Sequence, residues 1–324
     1  KRKSPGLMDG SSSANFKKIG DSDAASSMKR VPGVSIAGGK YVFVRGLGDR
    51  YTKTTLNGMD IPGLDPDRNT LQMDIFPTNV VDNIIVYKSF SAELPADFTG
   101  GVVNIETKDF PEEKTMKLGI SGGLNPSMHF NNSYLTYQGG KTDFLGFDDG
   151  TRAIPTGGRT DIPQYGQVVG NPNSPAGLEY QEILGGFNKT LGATRQSSLM
   201  DFGLSFSLGN QIVRPKVTWG YNAALTYKNE TEYYQNAEFN LYAKPIGETE
   251  TELESLEKQK GDYGVNSVLL GGMAGIALKT NASKYKINFL HLQNGESKAG
   301  IFDFENTNLG ANFEAKQYNL EYSQ

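Results

Sequence analysis

The chain has no cysteine, which excludes a disulfide framework and any thiolate metal site. Histidine is almost as scarce. His129 and His291 are the only two, far apart and without a neighbouring His or Glu cluster, so no metal centre is expected. Positive charge is not in excess either: 32 Lys and Arg stand against 36 Asp and Glu, for a net charge of −4. Nucleic-acid recognition needs concentrated Lys and Arg, so no nucleic-acid partner is expected. No uninterrupted apolar run reaches about 18 residues, which excludes a transmembrane helix. A membrane β-barrel escapes that test, because only alternate residues of its strands face lipid.

Motifs of catalysis and cofactor binding are also missing. There is no nucleophile elbow, P-loop or H-E-x-x-H. Gly46 and Gly48 offer a G-x-G, but Tyr51 stands where the third glycine belongs, and no βαβ unit follows. Asp65-Pro-Asp67-Arg-Asn69 opens like a calcium loop, yet Thr70 replaces the glycine and Phe76 the closing glutamate. Asp201-Phe202-Gly203 matches a kinase triplet by letter only, with no catalytic loop upstream. No enzyme and no cofactor are expected.

What the chain has in quantity is glycine, 39 residues, and aromatics, with 16 Tyr, 17 Phe and Trp219. Glycine punctuates tight turns, and aromatics favour strands and membrane interfaces. From Tyr41 to Lys108, short β-type runs (Tyr41–Val44, Lys53–Leu56, Ile84–Tyr87, Val102–Thr107) alternate with glycine corners at Gly46–Gly48, Gly58, Gly63 and Gly100–Gly101. This predicts a small α+β globule. Ahead of it, residues 1–20 read as a polar, mobile lead-in. A short helix follows, N-capped by Asp21 or Ser22, with Lys29 and Arg30 in its last turn and Pro32-Gly33 as its stop.

The order of the pieces is more specific than their composition. Val44-Arg45-Gly46, the turn Leu56-Asn57-Gly58, an Ile/Val strand, and Gly100-Gly101-Val-Val-Asn104-Ile-Glu-Thr-Lys108 resemble the plug domain of TonB-dependent outer-membrane receptors. The resemblance spans about residues 21–108, and Val31-Pro32-Gly33-Val34 matches the segment before the first plug strand. Lys88-Ser89 departs from the family's usual Arg-Gly, and Asn57 from its frequent Asp. Arg45, Gly46, Asn57, Gly58, Glu93, Gly100, Gly101 and Asn104 are the motif and locking residues the resemblance implies, with Arg45 and Glu93 as candidates for meeting charges on a barrel wall.

Beyond Lys108 the texture changes to long two-residue alternation. Met116, Leu118, Ile120 and Leu124 share one face, as do Met200 through Leu208, Val217 through Tyr227, Val268 through Leu278, Tyr285 through Phe289, and Tyr318 through Tyr322. Runs of ten residues exceed the ~5–6 usual in globular sheets and suit a tilted membrane strand. Short links (residues 209–215 and 280–284) alternate with long ones (residues 125–197 and 228–262), the asymmetry of outer-membrane barrels. The fold expected is therefore an α+β plug domain (residues 21–110) followed by about six strands of an antiparallel transmembrane β-barrel (residues 111–324). A plugged transporter barrel has about 22 strands. A chain beginning at Lys1 and ending in a strand-like run reads as a fragment.

Within the first long link, residues 141–155 resemble a block recurring in receptors of Bacteroidetes-like bacteria. Phe144, Phe147, Asp148, Asp149 and Arg152 are its candidate ligand contacts, or else hold the loop against the plug. Glu248–Lys260 reads as an acidic, helix-capable loop tip. Trp219, Tyr221, Tyr227, Tyr233, Tyr234 and Tyr242 suit an interfacial girdle, or sugar stacking in an outer loop. The resemblance implies import of a siderophore, oligosaccharide or peptide across the outer membrane, with TonB, ExbB and ExbD as periplasmic partners. The alternative is a structural subunit of an outer-membrane complex holding surface lipoproteins.

Overall fold

The computed structural model describes residues 6–19, 23–38, 40–64, 68, 71–76, 78, 80–108, 113–244, 252–306 and 313–324. Two units stand out. The N-terminal globule holds a five-stranded mixed sheet in the order β1-β6-β7-β4-β5. Its strands are β1 (Met8–Ser12), β4 (Thr52–Leu56), β5 (Met59–Asp60), β6 (Val81–Tyr87) and β7 (Gly101–Thr107). A separate hairpin pairs β2 (Val34–Ala37) with β3 (Tyr41–Val44). Two helices, α1 (Ser13–Ile19) and α2 (Ala24–Met28), complete the unit.

The sheet begins earlier than the polar composition suggests. Met8–Ser12, expected as a mobile lead-in, pairs antiparallel along β6. Lys88 secures it: its ammonium donates to Asp9 Oδ2 at 2.8 Å and to the Pro32 carbonyl, while Ser89 Oγ accepts from Leu7 N–H at 2.7 Å. So the two family departures at 88 and 89 tie down the edge strand. The cap of α2 is Asp23, accepting from Ser26 N–H at 2.8 Å; Asp21 and Ser22, expected in that role, lie outside the described residues. The helix stops earlier than expected: it ends at Met28 with Lys29 as its C-cap, so Lys29 and Arg30 fall outside its last turn, and Gly33, at φ +68°, turns the chain four residues later.

The second unit is a six-stranded antiparallel sheet in the order β15-β14-β13-β12-β11-β8. It comprises β8 (Thr115–Gly123), β11 (Asp201–Val213), β12 (Val217–Ala243), β13 (Glu254–Thr280), β14 (Lys284–Asn306) and β15 (Phe313–Ser323). Alternation places one residue set toward the globule and the other away from it. Ala224, Leu269 and Met273 face the globule and join one apolar core with Ile75, Phe76 and Val80. Met116, Leu118, Ile120, Trp219, Leu225, Ile276, Ile287 and Phe289 face away, and all are exposed. A solvent-side face this apolar is what a lipid-facing barrel wall requires.

Two links differ from expectation. The segment 228–262, expected as a long loop, is mostly strand: β12 and β13 run 27 residues each and leave only residues 244–253 between them. At ~3.3 Å per residue and ~40° tilt such a strand rises ~70 Å, well beyond an apolar band of ~25 Å. Its upper half rises past the apolar band, where neither face meets lipid, so the apolar alternation stops although pairing continues. For the same reason Glu254–Lys260 is strand rather than helix, with residues 248–251 outside the described set.

The first long link stays a loop with little regular structure: β9 (Tyr134–Thr136) paired to β10 (Thr194–Gln196), and helices α3 (Tyr165–Val168) and α4 (Pro175–Gly186). Among the described residues no helix is long and apolar enough to cross a membrane.

Candidate functional site: the globule–wall interface and the aromatic wall above it

The sequence motif of the globule folds into one knot. Asn57 and Gly58 occupy the two central positions of the β4–β5 hairpin at φ +52° and +82°, the pattern of a type I′ turn. Asn57 Oδ1 accepts from Thr107 N–H at 3.0 Å, and its amide donates to Thr107 Oγ1 at 3.1 Å. Asn104 Oδ1 accepts from Gly58 N–H at 3.0 Å and Thr55 Oγ1 at 2.9 Å. The turn is thus clipped onto β7. Gly101 must be glycine because an added Cβ would lie 2.7 Å from the Tyr87 carbonyl oxygen. Gly100 abuts the Tyr51 carbonyl, and its N–H donates to that oxygen at 2.8 Å.

Arg45 and Gly46 form the other I′-like turn, at φ +56° and +75°, closed by mutual Val44–Leu47 backbone bonds. Arg45 is exposed at this turn, and among the described residues no ion pair joins it or Glu93 to the six strands of the wall. Glu93 is also exposed, and its carboxyl is held below its usual range by its own backbone N–H and the Ser91 hydroxyl.

Charge contacts between globule and wall come from other residues. Lys228 Nζ on β12 lies 2.6 Å from Asp74 Oδ2, whose side chain is only 5% exposed. Lys40 Nζ lies 2.7 Å from Glu230 Oε2. Burial pulls the Lys40 ammonium down, but Glu230, with Asp74 and Glu232 beyond it, outweighs burial and raises it above the ordinary lysine range. Asn222 donates to the Lys108 carbonyl at 2.7 Å, and Lys286 to Thr107 Oγ1 at 2.8 Å. The second oxygen of Asp74 is buried without a hydrogen-bond partner. Next to this pair a gap of about 260 Å³ separates globule from wall, bordered by the small inward residues Gly119, Ser121, Gly203 and Ser205. Such an interface is held by a few discrete polar contacts rather than sealed by apolar packing throughout.

Higher on the same inner face four rings gather. Tyr234 stacks on Tyr263 at 4.6 Å between centroids, and Phe239 meets both Tyr263 and Phe302 at 5.7 Å. Tyr234 and Tyr263 are direct partners across β12 and β13. Phe239 joins them because a bulge adds one residue between Tyr234 and Ala237, with Asn236 at φ +50°. Tyr234 OH donates to Glu232 at 2.6 Å. Tyr234 and Phe239 stay nearly half exposed, so the cluster presents ring faces beside a carboxylate. Tyr233, one residue from Tyr234, points to the opposite face, where its hydroxyl meets Arg195 and Asp262. Sequence reading grouped these tyrosines along one strand; only the register separates them.

The predicted loop residues lie on that opposite face. Arg152 donates to both oxygens of Asp143 and to Asp148, and its guanidinium sits 4.0 Å over the Tyr322 ring. The Asp143 carboxylate foremost raises the Arg152 pKa above its usual value. Asp149 accepts from Thr151 and from the Lys141 N–H at 2.7 Å, which pushes it down to about 2. Phe144 offers its carbonyl to Tyr227 OH at 2.8 Å, and Phe147 stacks on His291. Gly146 approaches Gly295 so closely that a Cβ on Gly295 would fall 2.5 Å from its Cα. Tyr227, His291, Gly295 and Tyr322 all face away from the globule by register. The loop is therefore held against the outer side of the wall and not against the globule, and these five residues are brought together there. His129 is buried in the same loop, accepting from Asn125 N–H at 2.8 Å, with Nε2 3.2 Å from Asp201 but out of hydrogen-bond alignment. Among the described residues no cluster could hold a metal ion.

Residues 1–102 match the family described as TonB-dependent Receptor Plug Domain. No curated protein matches the chain. Similar solved structures include the siderophore receptor PirA from Pseudomonas aeruginosa, with 13% identity and a TM-score of 0.35, covering 94% of this chain and 45% of that one. The outer membrane transporter YddB from Escherichia coli has 11% identity and a TM-score of 0.37, covering 93% and 37%. A mutant of the ferric enterobactin receptor PfeA from Pseudomonas aeruginosa has 12% identity and a TM-score of 0.36, covering 99% and 49%. The chain spans about half the length of these structures, or less.

Proposed function

We propose that this chain, which joins a TonB-dependent receptor plug domain to the first strands of an outer-membrane β-barrel, belongs to a receptor that captures a scarce nutrient and imports it by displacing the plug. The carrying observation is the pairing of two features on the inner wall. The plug is held by discrete ion pairs, Lys228–Asp74 and Lys40–Glu230, and directly above them the wall presents the Tyr234, Phe239, Tyr263, Phe302 cluster.

Buried ion pairs are weak static glue and good switches, because loss of one partner strands a charge. A ligand resting on the rings would sit over the plug and bias it between docked and released states. Energy for release would come from TonB, with ExbB and ExbD, acting from the periplasmic side. Ring faces beside the Glu232 carboxylate suit a ligand with flat apolar faces and hydroxyl or amine donors. An oligosaccharide, a peptide or an aromatic siderophore has that chemistry.

The test is to purify the full-length protein from its native outer membrane in mild detergent and identify what accompanies it by intact-complex mass spectrometry. A co-purifying small molecule, lost when Phe239 and Tyr263 are replaced by alanine, supports the receptor reading. A fixed set of proteins with no small molecule points to the structural subunit instead.

A further inference from the structure

The loop docked on the outer side of the wall does not lie flat. Between it and the strands is a cavity of about 510 Å³, within the range of small-ligand sites. Its position follows from register. Tyr227, Asn229 and Thr231 on β12, and Asn266 on β13, belong to the residue set opposite the plug. The cavity therefore opens outside the barrel, away from the import path.

Its chemistry is divided. The wall side is polar and uncharged: Asn266 donates to Asn229 Oδ1 at 2.7 Å, with Thr231 beside them. Tyr134 and Tyr137 line it from the loop side. The one charged residue of the lining, Asp143, is taken up by Arg152. At one edge the lining becomes apolar through Met200 and Phe202, both more than two-fifths exposed. Phe202 is also the top of the outward stripe Phe202, Leu204, Phe206, Leu208 on β11, the face that meets lipid. A polar pocket thus runs without interruption into a lipid-facing stripe.

We infer that this cavity binds the headgroup of an outer-leaflet glycolipid, with the acyl chain along the Phe202–Leu208 stripe. Amide and hydroxyl groups beside tyrosine side chains suit sugar hydroxyls and the apolar faces of a pyranose. A phosphate headgroup would call for Lys or Arg in the lining, and among the described residues none lines the cavity. Occupancy would bridge loop and strands, so the bound lipid would also fix the loop on the barrel. The inference rests on the outward register and the lipid-facing stripe, and does not depend on what the barrel imports.

The experiment uses the full-length protein in phosphatidylcholine nanodiscs doped with either a monoglycosyl diacylglycerol or phosphatidylglycerol. Retained lipid is read by native mass spectrometry. One glycolipid per protein is expected, at least tenfold preferred over phosphatidylglycerol, with the preference lost in Asn266→Leu. The folded state of that variant is checked by its heat-modifiable mobility in SDS gels. A second measurement uses the wild-type protein alone: a photoreactive glycolipid should label peptides within residues 196–206. Equal retention of the two lipids, or label spread evenly around the apolar belt, overturns the inference.

Discussion

Replacing Lys228 with alanine should loosen the plug from its wall while leaving both units folded. The carboxylate of Asp74 is 5% exposed and Lys228 Nζ, 2.6 Å away, is its one direct charge partner among the described residues. Breaking a fully buried pair costs about 3–5 kcal/mol. Lys228 retains 23% exposure, and Lys40 acts on Asp74 from a distance, so water and that second cation recover part of the loss. We take ~2–3 kcal/mol against docking, which is ~30- to 140-fold more of the released state. The lack of cysteine in the chain gives a direct assay. Ala224 lies under the plug against Ile75 and Phe76, so Ala224→Cys, with any thiols elsewhere in the full-length protein changed to serine, reports release as maleimide labelling. Labelling should speed up in Lys228→Ala by that factor. The double variant Asp74→Asn, Lys228→Met removes both charges and should return to within about tenfold of the parent, since no ion is left stranded. If Lys228→Ala labels at the parent rate, or the double variant opens as far as the single one, the pair is not what holds the plug.

Other outcomes follow from the same geometry. Asn57→Ala removes bonds to Thr107 and puts an alanine at φ +52°, and should destabilise the plug by about 2–3 kcal/mol, read as faster exchange of β7 amides. Asn57→Asp keeps the acceptor that meets Thr107 N–H and should cost no more than about 1 kcal/mol in the same measurement. Asp149 is held at about 2 against an ordinary carboxylate near 4, so its contribution to the loop is complete above the ordinary value and disappears as pH falls through about 2. Exchange protection of the Lys141 and Thr151 amides should therefore persist at pH 4 and be gone below pH 2. Phe239→Ala opens the ring cluster and should weaken retention of a co-purified nutrient about tenfold, with the plug labelling rate unchanged.

Much of the architecture could be read from residue order, and the reasons are local. Asn-Gly at 57–58 demands a I′ turn wherever it occurs between strands, and a glycine pair ahead of Val-Val-Asn-Ile marks a strand that neighbours crowd. Alternation in 116–124, 200–208 and 217–227 was visible because one face meets lipid. Above the membrane that contrast vanishes: Asn229, Glu230, Thr231 and Glu232 are polar on both faces, yet remain paired to β13. The plug–wall partners were hidden for a different reason. Lys228 and Asp74 are 154 residues apart, and neither neighbourhood looks unusual alone. The side on which the long loop docks was likewise invisible, since outward and inward have meaning only once the register of Tyr227, Gln293 and Tyr322 is known.

The bulge at Asn236 has a consequence for how such a wall can diversify. Its extra residue shifts the phase of everything after it, so Tyr234 and Phe239, of opposite parity, look into the same lumen. The backbone there is pinned by Asn236 N–H donating to Asp262, and Gly261 opposite leaves no room for a Cβ beneath the Ile301 carbonyl. Gain or loss of a single codon at this point would exchange the inward and outward residues of the strand tip wholesale. The half of β12 embedded in the membrane would keep its phase and its stability. On the reading proposed above, one lumen-facing surface could in this way be exchanged for another in a single event, the second set of side chains being already encoded on the reverse side of the strand.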